Sequence, residues 1–279
     1  MWTEGFLLTG LFIALIAFLA EYVDSTLGMG YGTTLTPVLL MMGYGPMQVV
    51  PAVLLSELFT GLLAGLLHHR AGNADFRPKS VRPGMIIRRI RELGLTASFK
   101  NIPRDLRVVL VIAACSILGT VAAIFIAVNI NKFYLKLYIG VMVLAIGVYI
   151  LLQRNRQHSF SWKKITGLGL LASFNKGMSG GGYGPVVTGG QILSGVESKN
   201  AIAITSLAEG LTCIVGFAAY LLVRGIQDWT LFPYLCVGAI LSVPLSVCTV
   251  KRVNTRYLKL AIGVLTTVLG VLTLAKILL

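Results

Sequence analysis

The fold is decided by two stretches, Asp24-Ser-Thr-Leu-Gly-Met-Gly-Tyr-Gly32 and Asn175-Lys-Gly-Met-Ser-Gly-Gly-Gly-Tyr-Gly184-Pro185. Each stretch lies where an apolar helix would otherwise continue, and glycine disfavours a continuous helix. Non-helical backbone persists at membrane depth only where protein surrounds it or where it lines a water-filled cavity. The sequence therefore predicts two broken helices, each facing the interior of the protein.

Both stretches belong to an internal duplication, which is the first feature to establish because a repeated unit sets the architecture. Residues 28–60 match residues 180–212 at nine of 33 positions, with an offset of 152. Residues 131–153 match residues 254–276 at 11 of 23 positions, with an offset of 123. A long basic loop in the first half, 70–107, accounts for the difference between the two offsets.

Each half is predicted to contain a first helix, a break, a short apolar segment, a helix that bears a glutamate, and two further helices. The halves are residues 1–153, which include the basic loop 70–107, and residues 154–279. A short segment of about 10 residues would span about 15 Å as helix, half of the hydrocarbon thickness. We therefore predict an all-α polytopic membrane protein with eight spanning helices and two short broken or re-entrant helices, about ten segments in all.

Composition and charge support a membrane location. Hydrophobic residues make up 56% of the chain and charged residues 12%, against about 25% charged residues in soluble domains. The net charge of +14 could suggest nucleic acid, but 18 of the 24 Lys and Arg residues fall in three clusters, 70–107, 154–164 and 251–259. Cytoplasmic loops of helical membrane proteins are basic in this way. The predicted partners are a small anionic substrate and the lipid bilayer, without nucleic acid, and the formation of a homo-oligomer stays an open alternative.

The three basic clusters also predict the orientation of the halves. If both halves had the same orientation, the cluster at 251–259 would face outward. Inverted halves place every basic cluster on one side, which the positive-inside rule assigns to the cytoplasm. We therefore predict inverted repeats, cytoplasmic basic loops and both termini outside.

The two breaks are the predicted substrate site. A helix that restarts after a break presents free N–H groups and the positive end of its dipole, which together receive an anion. The alternative is that the glycines only let helices pack closely. The candidate substrate-binding residues are Gly28, Gly30, Tyr31, Gly32, Asn175, Lys176, Gly180, Gly181, Gly182, Tyr183 and Gly184.

Charged residues at membrane depth are functional candidates by default. Lys176 could attract the anion, pair with a glutamate, or extend towards the membrane surface. Glu57 and Glu209 occupy equivalent positions and could couple protons or brace a break by accepting its free N–H groups. Nearby hydroxyl groups that could complete either network belong to Ser56, Thr205 and Ser206.

The sequence lacks the patterns expected of an enzyme. It contains no Ser/His/Asp or Cys/His arrangement, no phosphate-binding loop of the Walker type and no dinucleotide-binding fingerprint. The four cysteines lie in apolar runs without the spacing of metal ligands, so we predict that they are small buried apolar side chains and form neither disulfides nor a metal site. We therefore predict no catalytic residue, no metal and no cofactor.

With these residues established, the chain resembles the TauE/SafE family of membrane transporters, often called sulfite exporters. The resemblance covers nearly the whole chain. It rests on Gly28-Met-Gly-Tyr-Gly32 with Thr36 and Pro37, on Gly180-Gly-Gly-Tyr-Gly184-Pro185, and on Ala203-Ile-Thr-Ser-Leu207. It implies a secondary transporter in a bacterial inner membrane for sulfite, a sulfonate such as sulfoacetate, or a related small anion.

The predicted mechanism is alternating access between the halves, with the anion held by backbone N–H groups of Gly28–Gly32 and Gly180–Gly184. The first break departs from the doubled pattern because Met29 corresponds to Gly181, which predicts a weaker anion site there. Two alternatives stay open from the sequence. One is a passive anion channel, and the other is a membrane assembly or sensor protein that transports nothing.

Overall fold

A computed structural model of the chain describes residues 2–77, 99, 102–127, 132–152, 159–179, 183–224 and 228–278. All regular structure within these residues is helical, which confirms the all-α prediction for this part of the chain. The described residues include ten helices, which are α1 (Trp2–Leu27), α2 (Tyr31–Met41), α3 (Pro46–Ala71), α4 (Arg104–Ala127), α5 (Lys132–Leu152), α6 (Trp162–Ser179), α7 (Tyr183–Leu193), α8 (Ser198–Arg224), α9 (Leu231–Arg252) and α10 (Thr255–Leu278). Most of the predicted basic loop lies outside the described residues.

Five of the described helices are long and apolar enough to cross a membrane by length and composition. They cover Leu8–Leu27, Gln48–Ala71, Ser198–Ala218, Leu231–Arg252 and Thr255–Ala275. Large apolar side chains on these helices face outward, as Leu8 and Leu241 do with 67% and 62% of their surface exposed. A lipid environment accounts for such exposure, because hydrocarbon carries no penalty for apolar surface. The predicted number of eight spanning helices stays a prediction.

The first predicted break is present between α1 and α2. Gly28 and Gly30 have φ angles of +74° and +133°, a region that side chains other than glycine rarely adopt. In the second half α6 ends at Ser179 and α7 begins at Tyr183, and residues 180–182 between them, where the sequence predicts the second break, lie outside the described part of the chain. Both tyrosines of the glycine-rich stretches are helical, since Tyr31 begins α2 and Tyr183 begins α7.

Each short helix has 11 residues and packs antiparallel against the long helix that follows it. For α2 this is seen where the Tyr31 hydroxyl meets the Ser56 hydroxyl at 2.7 Å. For α7 the Thr188 hydroxyl lies 2.9 Å from the Thr205 hydroxyl. The side chains of α7 are buried from Tyr183 to Ile192. Helix α7 therefore lies inside the bundle, whereas α2 buries the face that carries Tyr31, Leu35 and Leu39.

Equivalent long helices of the two halves pack against each other in opposite directions. On α3 and α8, Gly61 lies against the backbone of Gly210, while Gly65 lies against Leu207. Close approach of this kind requires small residues at the crossing. On α5 and α10, Gly140 lies against Leu274 and Gly147 against Thr267. Residue numbers rise along one helix as they fall along its partner, so both pairs are antiparallel.

Two further pairs join non-equivalent helices in parallel. On α1 and α9, Gly10 lies against the Tyr234 ring, and the Tyr22 hydroxyl meets the Thr249 hydroxyl at 2.9 Å. In the same way α4 runs parallel to α6, where Gly119 lies against Ser173.

These directions place the ends of α3, α8, α9 and α10 on two opposite faces of the bundle, whereas α1 ends at the first break inside it. We name the terminal face as the one where α1 begins and α10 ends, and the basic face as the one where α3 ends and α4 begins. The connection between α9 and α10 also lies at the basic face, since the Asn73 amide donates to the Val247 carbonyl at 3.4 Å.

Candidate functional site

A small pocket lies where the first break and the start of α7 meet α3 and α8. It brings together side chains from both halves of the chain. The residues that line it are Asp24, Gly30, Gly32, Thr33, Glu57, Lys176, Tyr183, Gly184, Pro185 and Glu209. Seven of these are candidates named from the sequence, and Asp24, Thr33 and Pro185 are additions from the structure.

The two halves touch directly beside this pocket. The backbone of Gly184, in the first turn of α7, lies against the Gly28 carbonyl and Met29 of the first break. The Thr188 hydroxyl donates to the Gly28 carbonyl at 2.8 Å. Because the break removes the helical partner of this carbonyl, a hydroxyl from the other half satisfies it. The first break and the start of α7 therefore form one structural unit.

Lys176 lies at the centre of the charged groups. Its Nζ donates to Glu209 Oε1 at 2.7 Å and to Glu57 Oε2 at 3.4 Å. The ammonium also lies 4.9 Å from the centre of the Tyr183 ring, within the range of a cation–π contact. Only 9% of the Lys176 side chain is exposed. Lys176 therefore pairs with both glutamates and does not extend to the membrane surface.

This ion cluster connects three helices of the two halves. Glu57 belongs to α3, Lys176 to α6 and Glu209 to α8. A buried charge is tolerated only when paired, so the three side chains depend on one another. The second carboxylate oxygen of Glu209 is buried without a hydrogen-bond partner in the described part of the chain. It offers an acceptor position at the wall of the pocket.

Cys213 completes the cluster, although the sequence placed it among apolar fillers. Its Sγ lies 3.4 Å from Glu57 Oε2 and 3.6 Å from Lys176 Nζ. Cys115 is buried, as expected of a small apolar side chain, whereas Cys248 is exposed. Cys213 is therefore buried as predicted but has polar partners, and the prediction of burial is wrong for Cys248.

Asp24 binds the first N–H group of α2, the group that the sequence assigned to the anion. Tyr31 N donates to Asp24 Oδ1 at 3.1 Å. A carboxylate of the chain thus already occupies this end of the helix dipole. Nearby, Glu21 accepts bonds from Ser25 and Thr60 and is 2% exposed. Glu21 and Asp24 both lie in the apolar helix α1. An acidic residue in an apolar helix is a candidate functional residue, and this pattern could have identified both from the sequence.

We expect Asp24→Ala to lower the free energy of unfolding by about 1–2 kcal/mol, because an N-terminal helix cap contributes about that much. Asp24→Asn keeps an acceptor oxygen in place and should melt closer to the native protein. Melting temperatures in detergent measure both variants. Equal melting temperatures for Asp24→Ala and the native chain would mean that Asp24 does not hold α2.

The other predicted residues that the structure describes do not line the pocket. The Tyr31 hydroxyl is bound to Ser56 and the side chain is fully buried, so it packs the core. The Ser206 hydroxyl donates to the Ile202 carbonyl of its own helix at 3.1 Å. Asn175 is buried next to Lys176. Gly180, Gly181 and Gly182 lie outside the described residues.

Carboxylates outnumber the ammonium among the side chains that line the pocket. Fully ionised, Asp24, Glu57 and Glu209 would outweigh the single ammonium of Lys176 and leave a net charge of −2.

The described residues hold no group of three or more His, Cys, Asp or Glu side chains that could bind a metal ion. His68 is buried, with its ring bound to the Ser25 carbonyl and the Asn73 amide.

Comparison with known proteins agrees with this architecture. The family model described as sulfite exporter TauE/SafE matches residues 13–87 and 93–273. The probable membrane transporter protein YtnM of Bacillus subtilis (strain 168) is 26% identical over 267 residues, which cover 90% of this chain and 77% of that protein. No solved structure gives a significant match. The family resemblance is thereby confirmed: the chain belongs to the TauE/SafE family and is a multi-pass membrane transporter.

Proposed function

We propose that the chain is a secondary transporter, working as an exporter, for a small sulfur-containing anion such as sulfite or a sulfonate like sulfoacetate. The observation that supports this most is the buried Lys176 ammonium in a pocket between the first break and the start of α7. An ammonium away from water attracts an anion more strongly than one at a surface. The backbone N–H groups of 180–184 would add to this attraction at the second helix start.

The transport mechanism is alternating access between inverted halves, residues 1–153 and 154–279. The antiparallel packing of α3 on α8 and of α5 on α10 supports the inversion, because these are equivalent helices. Midplane sites at broken helices are typical of transporters built from inverted repeats. The positive-inside rule assigns the basic face to the cytoplasm of a bacterial inner membrane and both termini to the outside.

Proton coupling explains why carboxylates outnumber the ammonium in a pocket that binds an anion. Each proton taken up by Glu57 or Glu209 removes one negative charge and releases one partner of Lys176. The ammonium then becomes available to the anion. A bracing role, the other option for these glutamates, is performed by Asp24 at the first break, where it accepts the Tyr31 N–H. We therefore assign coupling to Glu57 and Glu209.

We expect Glu209→Gln to abolish anion accumulation driven by a pH gradient while keeping exchange of labelled anion. Exchange returns the same protonation state on each cycle, whereas accumulation requires a proton to cross with the anion. The measurement uses proteoliposomes with and without a pH gradient. Glu197→Gln is the matched control, because Glu197 is an exposed glutamate that directly precedes α8, the helix that carries Glu209. Unchanged accumulation in Glu209→Gln would exclude this coupling role.

The function itself is tested by counterflow in proteoliposomes. Labelled sulfite or sulfoacetate should enter vesicles against its gradient when they are preloaded with the unlabelled anion, and the rate should saturate. A passive channel would equilibrate the label without counterflow. Background uptake of every sulfur-containing anion would contradict the proposal and favour a role without transport. A thermal-shift screen of the same anions identifies the substrate, because a ligand that binds the native state raises its melting point.

A further inference from the structure

Two matching hydrogen bonds join the halves at opposite faces of the bundle. At the terminal face the Gln48 amide donates to Asp228 Oδ2 at 2.6 Å. At the basic face the Asn200 amide donates to Asp105 Oδ2, also at 2.6 Å. In both bonds the amide comes from the start of a glutamate-bearing helix, α3 or α8. The carboxylate lies at or just before the start of α4 or α9 in the other half.

The internal duplication relates the two bonds to each other. Gln48 and Asn200 are 152 residues apart, the offset of the glycine-rich repeat. Asp105 and Asp228 are 123 residues apart, the offset of the later repeat. Each half therefore contributes one amide and one carboxylate at equivalent positions. The same contact between the halves is made once at each face, with the pocket between them.

We propose that these bonds are the two gates of alternating access, a terminal latch formed by Gln48 and Asp228 and a basic latch formed by Asn200 and Asp105. This rests on the proposed transport function. A rocking motion of the halves separates them at one face while they stay in contact at the other. One latch opens as the other holds, so that the pocket faces a single side of the membrane.

The surroundings of each carboxylate suit a latch that opens and closes. Hydrogen bonds from the Thr230 side chain and backbone, with that from Gln48, hold the pKa of Asp228 below its usual value. Asp228 is therefore ionised at neutral pH and makes a charge-assisted bond, which is stronger than a neutral one. Asp105 is 6% exposed and also accepts the Asp75 N–H at 3.0 Å. Both acceptors keep other donors when the amide leaves, which limits the cost of opening.

Labelling of a cysteine in the pocket tests the latches. Thr33→Cys, in a chain whose four native cysteines are replaced by alanine, puts a thiol in the pocket lining. A membrane-impermeant maleimide is then added to one side of right-side-out or inside-out vesicles. Loss of one charge-assisted bond should change the open population by about tenfold or more. We expect Gln48→Ala to raise labelling from the terminal face and Asn200→Ala to raise it from the basic face.

An exchanged pair separates a latch from a merely structural contact. Gln48→Glu together with Asp228→Asn reverses donor and acceptor, and should return labelling to the level of the native pair. Gln48→Glu alone places two carboxylates together and should raise labelling from the terminal face. Labelling that stays raised in the exchanged pair, or that changes equally from both faces, or that does not change in either alanine variant, would overturn the proposal. The labelling experiment contains no substrate. Its result therefore does not depend on whether the transport assay identifies the substrate.

Discussion

Lys176→Gln should abolish the rise in melting temperature that the transported anion produces, and should slow transport at least about thirtyfold. The reason is that Lys176 is the ammonium of the pocket, and loss of one partner from a buried charge contact costs about 2–5 kcal/mol. An anion at 100 times its Kd stabilises the native protein by about 2.7 kcal/mol. Thermal denaturation in detergent with and without the anion measures this difference directly.

The same substitution also affects folding, because Glu57 and Glu209 lose their shared partner. Removing one member of a buried ion pair costs about 3–5 kcal/mol, since the charge left behind is uncompensated. Low transport alone would then report misfolding as readily as lost binding. The triple variant Lys176→Gln, Glu57→Gln and Glu209→Gln removes all three charges and keeps similar volumes. It should melt near the native protein and still show no response to the anion.

These two variants give a clear decision. A Lys176→Gln chain that folds and keeps the full anion-dependent shift would remove Lys176 from the site. A triple variant that regains the shift would show that backbone N–H groups alone hold the anion. Loss of the shift in both variants, with a recovered melting temperature in the triple variant, is the result expected if Lys176 binds the substrate.

The architecture could be predicted from sequence because its causes are local. Glycines in an apolar run weaken a helix wherever the run is placed, and the offsets of the duplication can be read without any structure. The break at Gly28–Gly30 was found in this way. The exact start of α2 at Tyr31 could not be, because the capping carboxylate of Asp24 comes from the preceding helix.

The charged cluster was predictable as a set of candidates but not as a contact. Depth in an apolar helix marks Glu57, Lys176 and Glu209 one at a time. The contact between them depends on how α3, α6 and α8 pack against each other. Lys176 and Glu57 are 119 positions apart in the sequence, so no local pattern predicts this contact. The same limit applies to Tyr31 and Tyr183, which occupy equivalent positions of the repeat and have the same predicted role. Tyr183 lines the pocket under the ammonium, whereas Tyr31 is fixed to Ser56 in the core.

Gly184→Ala should have the second large effect, through packing and not through charge. A methyl group at Gly184 would lie 2.7 Å from the Gly28 carbonyl oxygen and 2.7 Å from Met29 Cα. Both are backbone atoms of the first break, which cannot rotate away as a side chain can. Overpacking in a buried site costs about 1–3 kcal/mol. We expect a lower melting temperature and loss of counterflow, because α7 is forced away from the first break.

Gly167→Ala supplies the matched control. Gly167 is also helical, in α6, but a methyl group there would meet no atom within 4 Å. Alanine forms helix better than glycine, so this variant should keep transport and melt at or slightly above the native temperature. Gly28 would be a poorer choice for the same test, because its φ of +74° would add backbone strain to the steric effect.

The comparison of the two alanine variants bears on the mechanism as well as on packing. If the first break and the start of α7 stay in contact throughout the cycle, Gly184→Ala should impair transport from both faces equally. If they separate in one open state, the added methyl group should favour that state and raise labelling of Thr33→Cys from one face only. Native transport and stability in Gly184→Ala would contradict both, and would mean that this contact is not needed to form the pocket.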